Sequence, residues 1–447
     1  MISSSETIAA LASGGGTAAI ALIRVSGPDA EAVVDAATQG GATSAVERRA
    51  TRAKVRDGAG RVLDDVLLTV FRGSRSFTGE PVVEIACHGG RLVTRRVLDR
   101  LMECGARAAG PGEFTERAFF HGKLDLTQAE AIMDLISAQS DLALRAAHEQ
   151  LDGGIGREAV RLREELIGVV AHLEAWIDFP EEDIDPDTGA TFLSRVAEVR
   201  EGIARLLSTA EQGRILREGV RTVICGRPNA GKSSLLNLLL GSERAIVSDE
   251  AGTNRDTIEE MVVLDGVPLR LVDTAGLRDE AGGIEREGIR RTRLEAARAD
   301  LLLVVRDATL PAEESAVELP DGPRLVTVLN KADLGEHLDW LGHPGVRISC
   351  WTGTGLEPLR TAIREALDLG EADWGELAVA INARHRDCLR RADDALESAA
   401  VLLESAAAPE LAALELRGAL EALGEIVGKV DTEEILGAIF SRFCIGK

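Results

Sequence analysis

The nine residues Gly226–Ser234, GRPNAGKSS, constrain this chain more than any other stretch. They fit GxxxxGK[ST], a loop whose glycines let backbone N–H groups turn inward around phosphate oxygens. The pattern carries weight only between a buried strand and a helix. Here the apolar RTVIC precedes it and the helical SLLNLLLG follows it. Downstream, short apolar runs alternate with helical patterns: LRLVDTAG, ADLLLVVRD, RLVTVLNKAD and GVRISC. Continuous apolar strands of this kind belong to a mainly parallel sheet covered on both faces. Residues 216–373 are therefore expected to form a P-loop α/β domain with a Ras-like order of motifs.

A chain of 447 residues exceeds one core, so further domains are expected. Residues 1–122 mix β-type runs (TAAIALIRVSG, VLDDVLLTVF, PVVEIACHGG) with short helical patterns such as Leu92–Cys104, which reads as an α+β domain. From Lys123 the apolar spacing becomes helical, and Thr127 with Glu130 reads as a capping box. Helices are expected around Arg157–Ile177 and Phe192–Gln212, with the acidic DFPEEDIDPD between them as a loop. Residues 374–447 are helical again. The fold class is thus multidomain α/β: an α+β domain over 1–122, a helical domain over 123–215 and 374–447, and the phosphate-loop domain inserted in it. Two unrelated helical domains are the alternative.

The net charge of −23 argues against a bulk electrostatic grip on nucleic acid. The charge is uneven: residues 1–122 hold 15 Lys/Arg against 14 Asp/Glu, and the remainder 36 against 60. An RNA partner would need a local basic face or a second protein. The six cysteines form no CxxC pair, which fits reduced thiols and a cytoplasmic setting. No apolar run approaches a membrane span, and no signal peptide is read at the N-terminus.

Three further motifs fix the chemistry. Lys232 reaches the β and γ phosphate oxygens and the Ser233 hydroxyl ligates Mg²⁺. In Asp273-Thr274-Ala275-Gly276, Asp273 would hold Mg²⁺ through water and the Gly276 amide would sense the γ-phosphate. Asn330-Lys331-Ala332-Asp333 ends a strand, and Asp333 can accept from guanine N1–H and its exocyclic amine, a pair adenine does not offer. Lys331 can lay its stem along the base, Asn330 can tie the loop, and Ile348–Cys350 is placed for the last base-contacting loop. In this order the motifs read as a GTPase. Yet Leu277 follows Gly276 where many GTPases carry a water-orienting Gln.

At this point the chain resembles the tRNA modification GTPase family called MnmE or TrmE, within the TrmE-Era-EngA-like GTPases. The resemblance is carried by SFTGEPVVEIACHGG, GPGEFTERAFFHGKLDLTQAEAIMDLI, DFPEEDID, GRPNAGKSSLLN, AGTNRD, DTAGLR and the terminal FCIGK, and so spans the whole chain. It implies a homodimer and an N-terminal domain that binds a 5-formyl-tetrahydrofolate-type folate. It also implies a flavin-dependent partner, MnmG (GidA), with which the family modifies C5 of the wobble uridine in certain tRNAs. The implied GTP contacts run through Asn229, Ala230, Gly231, Lys232, Ser233 and Ser234; through Ser248, Asp249, Glu250, Ala251, Gly252, Thr253 and Asn254; then Asp273, Thr274, Ala275 and Gly276; and last Asn330, Lys331 and Asp333.

The resemblance also offers an answer to Leu277. It implies a K⁺ held by Asn229 with Ser248, Glu250 and Thr253, neutralising charge that develops on the phosphates. It implies Glu285 as the group that positions water. A loop-stabilising amide is the plain alternative for Asn229, and a solvated charge for Glu285. Two positions depart from the family. Asn254 stands where a Mg²⁺-ligating Thr is usual, and Glu250 where a hydrophobic residue is usual. The implied folate residues are Arg24, Glu84, Lys123 and Lys447. His88 reads as a turn residue and Cys444 as a tucked terminal thiol. A GTP-driven assembly switch and a stand-alone folate-dependent transferase are the competing readings.

Overall fold

The computed structural model describes residues 6–178, 188–242, 260–272, 295–317, 319–320, 322–367, 380–404, 409–429, 433–441 and 443–446. The chain divides into two compact units: Met1–Met133 with Leu151–Arg200 and Cys388–Lys447, and Asp134–Gln150 with Glu201–Asp387. The expected acidic loop lies, but for Asp178, outside the described residues.

In the first unit, six strands form a sheet: β1 (Ile8–Leu11), β2 (Ile20–Ser26), β3 (Thr51–Arg56), β4 (Val62–Phe71), β5 (Val82–His88) and β6 (Arg107–Ala108), in the order β3-β4-β5-β2-β1-β6. All neighbours are antiparallel except β1 and β6. Alternation puts Ile23, Val25, Leu68, Val70, Ile85 and Cys87 on one face, where they pack with Val34, Val97 and Leu101 of helices Ala30–Thr38 and Arg91–Glu103. The opposite face leaves Arg24 and Glu84 part-exposed.

The helices of this unit come from both sides of the second one. Gly154–Asp178 lies along Pro409–Ile426, burying Leu162, Leu166, Val169, Leu173, Leu416 and Leu423. Arg417 donates to Glu174 (2.7 Å) and Arg200 to Asp393 (2.8 Å). Helix Leu126–Ser137 starts one residue before the expected Thr127–Glu130 box, and Asp125 stands at its N-cap. Asp125 Oδ1 instead accepts from the Gln128 N–H (2.9 Å), and Gln128 Oε1 from the Asp125 N–H (3.0 Å). The reciprocal box sits two residues earlier because Asp-x-x-Gln satisfies the same geometry, and Thr127 donates to Asp125 (2.7 Å). The chain end returns to the sheet domain. Ile445 pairs with Pro111, and the Gly112 N–H reaches the Cys444 carbonyl (3.4 Å).

The second unit is built on β7 (Val220–Gly226), β8 (Glu260–Leu264), β9 (Val267–Val272), β10 (Leu301–Asp307), β11 (Arg324–Asn330) and β12 (Val346–Arg347), ordered β12-β11-β10-β7-β9-β8. Every pair is parallel except the β8–β9 hairpin, turned at Asp265–Gly266. β10 has five consecutive buried residues, Leu301–Val305, as a strand covered on both faces requires. Leu303 and Val305 join one core, with Leu235 and Ile363, while Leu302 and Val304 join the other, with Val223 and Val272.

The first unit carries a buried ion network whose removal has a calculable cost. Arg117 is 3% exposed and donates to Glu80 Oε1 (2.9 Å), Glu113 Oε1 (2.9 Å) and the Glu6 carbonyl (2.9 Å). Ser26 donates to the same Glu80 oxygen (2.8 Å). Arg117→Ala takes the guanidinium from the buried Glu80 carboxylate and leaves Glu113 with Arg107 as its cation, and is expected to destabilise by about 3–5 kcal/mol. The measurement is amide exchange: β2 and β5 should exchange faster while β7 and β10 are unchanged. Acid should act on the same place. Burial alone would raise the Glu113 pKa, but hydrogen bonds from Arg107, Gly110 and Arg117 outweigh it and hold the pKa below the ordinary value. Its stabilisation is present at neutral pH and is lost as pH falls through that lowered value. Glu116 is the opposite case, raised to about 7 by burial and by Glu113. It costs stability once ionised, so Glu116→Gln should stabilise this unit at about pH 8 and not at about pH 4.

Candidate nucleotide site

The carboxyl ends of parallel strands are where loops can converge on a ligand, and β7, β10 and β11 end together here. The loop after β7 turns through Asn229 (φ +64°) and Gly231 (φ +99°) into helix Lys232–Ser242. At Gly231 a Cβ would stand 2.1 Å from Asn330 Nδ2, so only glycine lets the two loops meet. The Asn229 side chain is exposed and makes no hydrogen bond among the described residues. Lys232 Nζ donates to the Arg227 carbonyl (3.0 Å).

Asn330, at the end of β11, is 3% exposed and joins three segments. Its Nδ2 donates to the Ala230 carbonyl (2.9 Å), and its Oδ1 accepts from the Cys350 N–H (3.2 Å). Lys331 takes a left-handed conformation (φ +64°), and its ammonium bonds Asp307 Oδ2 (2.6 Å) at the end of β10. Burial opposes the charge on Asp307, but Lys331 and Thr309 outweigh it and lower the pKa. The Lys331 stem is thereby held from both ends. Asp333 follows, exposed, in a short 3-10 turn. The Ala332 N–H reaches the Ile348 carbonyl (3.2 Å). Burial, and then Asp333, push the Cys350 thiol up to about 11, so it stays protonated.

The structure therefore brings Ala230 and Gly231 together with Asn330, and ties Lys331 and Cys350 into the same assembly. Asp307 was not anticipated from sequence; its only signal is an acid ending an apolar strand. Ser248–Asn254, Asp273–Gly276 and Glu285 lie outside the described residues, as does Lys447.

The expected folate residues are placed in part. Arg24 and Glu84 are direct cross-strand neighbours on β2 and β5. Arg24 Nε (3.1 Å) and Nη2 (2.8 Å) both donate to Glu84 Oε1. The Arg24 guanidinium stands over the rings of Phe77 (5.5 Å) and Phe114 (5.7 Å). Glu84 Oε2 accepts no hydrogen bond among the described residues. Lys123 Nζ instead donates to the Ser74 carbonyl (2.9 Å), with no bond to Arg24 or Glu84. Among the described residues no His/Cys/Asp/Glu group forms a metal centre.

A phosphate loop, a strand-end Asn-Lys-x-Asp and a tied base loop on one mainly parallel sheet define a P-loop protein of the G-domain class. Comparison with known proteins goes further. The family described as "MnmE helical domain" matches residues 126–444, and "GTP-binding protein TrmE N-terminus" matches residues 7–123. The tRNA modification GTPase MnmE of Akkermansia muciniphila is 52% identical over 445 residues, covering 99% of each chain. That of Opitutus terrae is 44% identical over 452 residues, again covering 99% of each. The FeoB G-domain of Methanococcus jannaschii aligns to 33% of this chain and 98% of its own at 27% identity and a TM-score of 0.25. The chain belongs to the MnmE family of tRNA modification GTPases.

Asn330→Ala strips the Ala230 carbonyl and the Cys350 N–H of their shared partner. Leaving such groups unpaired costs about 1–3 kcal/mol, so guanine nucleotide should bind roughly five- to 150-fold more weakly. Calorimetric titration with GDP measures this.

Proposed function

We propose that this tRNA modification GTPase is potassium-dependent and works with a flavin-dependent partner protein and a tetrahydrofolate-type one-carbon donor. Its product is a C5-modified wobble uridine in certain tRNAs, made in the cytoplasm by a homodimer whose G domains meet during the GTP cycle. The observation that carries the GTP half is the Asn330 bridge, which holds the base loop and the phosphate loop in one arrangement.

GTP is bound by amides of Gly226–Ser234 around the phosphates and by Asp333 at the guanine edge. Ser233, with Asn254, would hold Mg²⁺, which would supply positive charge to the phosphate oxygens. Asn229 suits a hard cation, because its amide oxygen is exposed and uncommitted. K⁺ there supplies positive charge where the transition state gathers negative charge. Glu285 positions the attacking water, which leaves Leu277 without that task. In the first unit, Glu84 Oε2 is available to accept from a pterin N–H and amine, while Arg24 fixes the other carboxylate oxygen. No helix among the described residues is long and apolar enough to cross a membrane.

Turnover of GTP in KCl and NaCl at equal ionic strength tests the first half. It should be fast only in K⁺, and Glu285→Ala should abolish it with nucleotide still bound. Asn229→Gly is the cleaner companion to Asn229→Ala, since glycine accepts φ +64° without strain. Turnover indifferent to the cation would overturn the assignment. For the second half, Glu84→Gln should weaken 5-formyl-tetrahydrofolate binding on the order of tenfold or more, by loss of a charge-assisted acceptor. Fluorescence titration reads it, with GDP affinity unchanged as the control.

A further inference from the structure

The loop between β12 and helix Leu356–Ala366 is closed on itself. The Ser349 N–H donates to the Thr354 carbonyl (2.9 Å), and the Gly353 N–H to the Ser349 carbonyl (2.9 Å). The Thr352 N–H donates to Ser349 Oγ (3.2 Å), and Ser349 is 2% exposed. Gly355 ends the loop at φ +91°, where a Cβ would lie 2.0 Å from the Arg347 carbonyl. The loop is also tied to the Asn-Lys-x-Asp segment through Cys350 to Asn330 (3.2 Å) and Ala332 to Ile348 (3.2 Å).

From this fixed loop Trp351 stands 93% exposed, one residue beyond the Cys350 amide that Asn330 holds. The contrast with Trp340 is sharp. Trp340 is fully buried and its indole N–H reaches the Leu310 carbonyl (2.8 Å). Trp351 makes no hydrogen bond or ring contact among the described residues, so the fold gives its large apolar ring nothing to cover. An indole is a flat π surface, and such surfaces hold nucleobases by stacking whatever the base's edge.

We propose that Trp351 is a stacking platform for the guanine base, supplying affinity through the face of the purine while Asp333 reads its edge. This rests on the assignment of Asp333 as guanine acceptor and deepens it. Lys331, pinned between its left-handed backbone and Asp307, offers the other flat apolar surface, its methylene stem. The division of labour has a signature. A stacking surface does not distinguish purine edges, so losing it weakens all bound purines by one factor. Losing the edge reader instead changes which purine binds.

The test uses the full-length chain. Trp351→Ala is expected to weaken GDP roughly ten- to 100-fold, as removal of one base-stacking ring does. Inosine diphosphate, which lacks the exocyclic amine, should weaken by the same factor. Trp351→Phe should keep most of the affinity. GDP should change the tryptophan emission of the unaltered protein, and that change should vanish in Trp351→Phe. In an Asp333→Asn background, which replaces one acceptor by a donor suited to the xanthine carbonyl, Trp351→Ala should weaken xanthosine diphosphate by the same factor again. If Trp351→Ala binds GDP as tightly as the parent while Asp333→Asn exchanges GDP for xanthosine diphosphate, the base site stands and the stacking role is wrong. If Asp333→Asn leaves GDP affinity unchanged, the base does not sit there and the stacking role falls with it.

Discussion

One buried amide side chain organises the nucleotide half of this protein. Asn330 gives a hydrogen to the phosphate loop and takes one from the base loop, while its own backbone ends the β11 strand. An amide can do both because it carries a donor and an acceptor on one rigid plane. A carboxylate would have no hydrogen for the Ala230 carbonyl. Gly231 is the counterpart of this choice: with any Cβ there, the Asn330 side chain could not come as close. The strand order places β10 and β11 so that Asp307 and Lys331 complete the arrangement beside it.

Much of this half was legible in the sequence because its motifs are chemical before they are structural. GRPNAGKSS and NKAD are recognisable by residue type and spacing, and the apolar runs between them give strands of a doubly covered sheet. The β8–β9 hairpin was less visible, since β8 pairs antiparallel at the sheet edge and its period is mixed, with Glu260 and Met261 only half-buried. The misplaced helix cap has a local cause. Two overlapping tetrads, Asp125–Gln128 and Thr127–Glu130, satisfy the same rule, and only coordinates show which carboxylate or hydroxyl is used.

The Arg24–Glu84 pair of the first unit was named only through resemblance, and the reason is register. Arg24 and Glu84 are sixty residues apart in sequence, and either alone is an unremarkable strand residue. They become a pair because β2 and β5 run antiparallel with Ser26 opposite Val82 and Ile20 opposite His88. A slip of one residue would turn one of them into the core. The same holds for Arg117. Its partner Glu113 is a helical neighbour four residues away and could be read locally, whereas Glu80 arrives from the loop before β5. Balanced composition in residues 1–122 hid this use of charge. The arginines there are largely spent on internal carboxylates, Arg24 on Glu84, Arg72 on Glu31, Arg107 and Arg117 on Glu113.

That pairing bears on how an acidic protein works on an acidic substrate. Paired arginines project little field beyond the Debye length, about 8 Å at physiological ionic strength, so an even count of charges in residues 1–122 does not make a basic surface. With a net charge of −23, the chain has no bulk attraction for a polyanion to draw on. Its affinity for a tRNA must come from shape, from a few local cations, or from a partner that carries the positive charge.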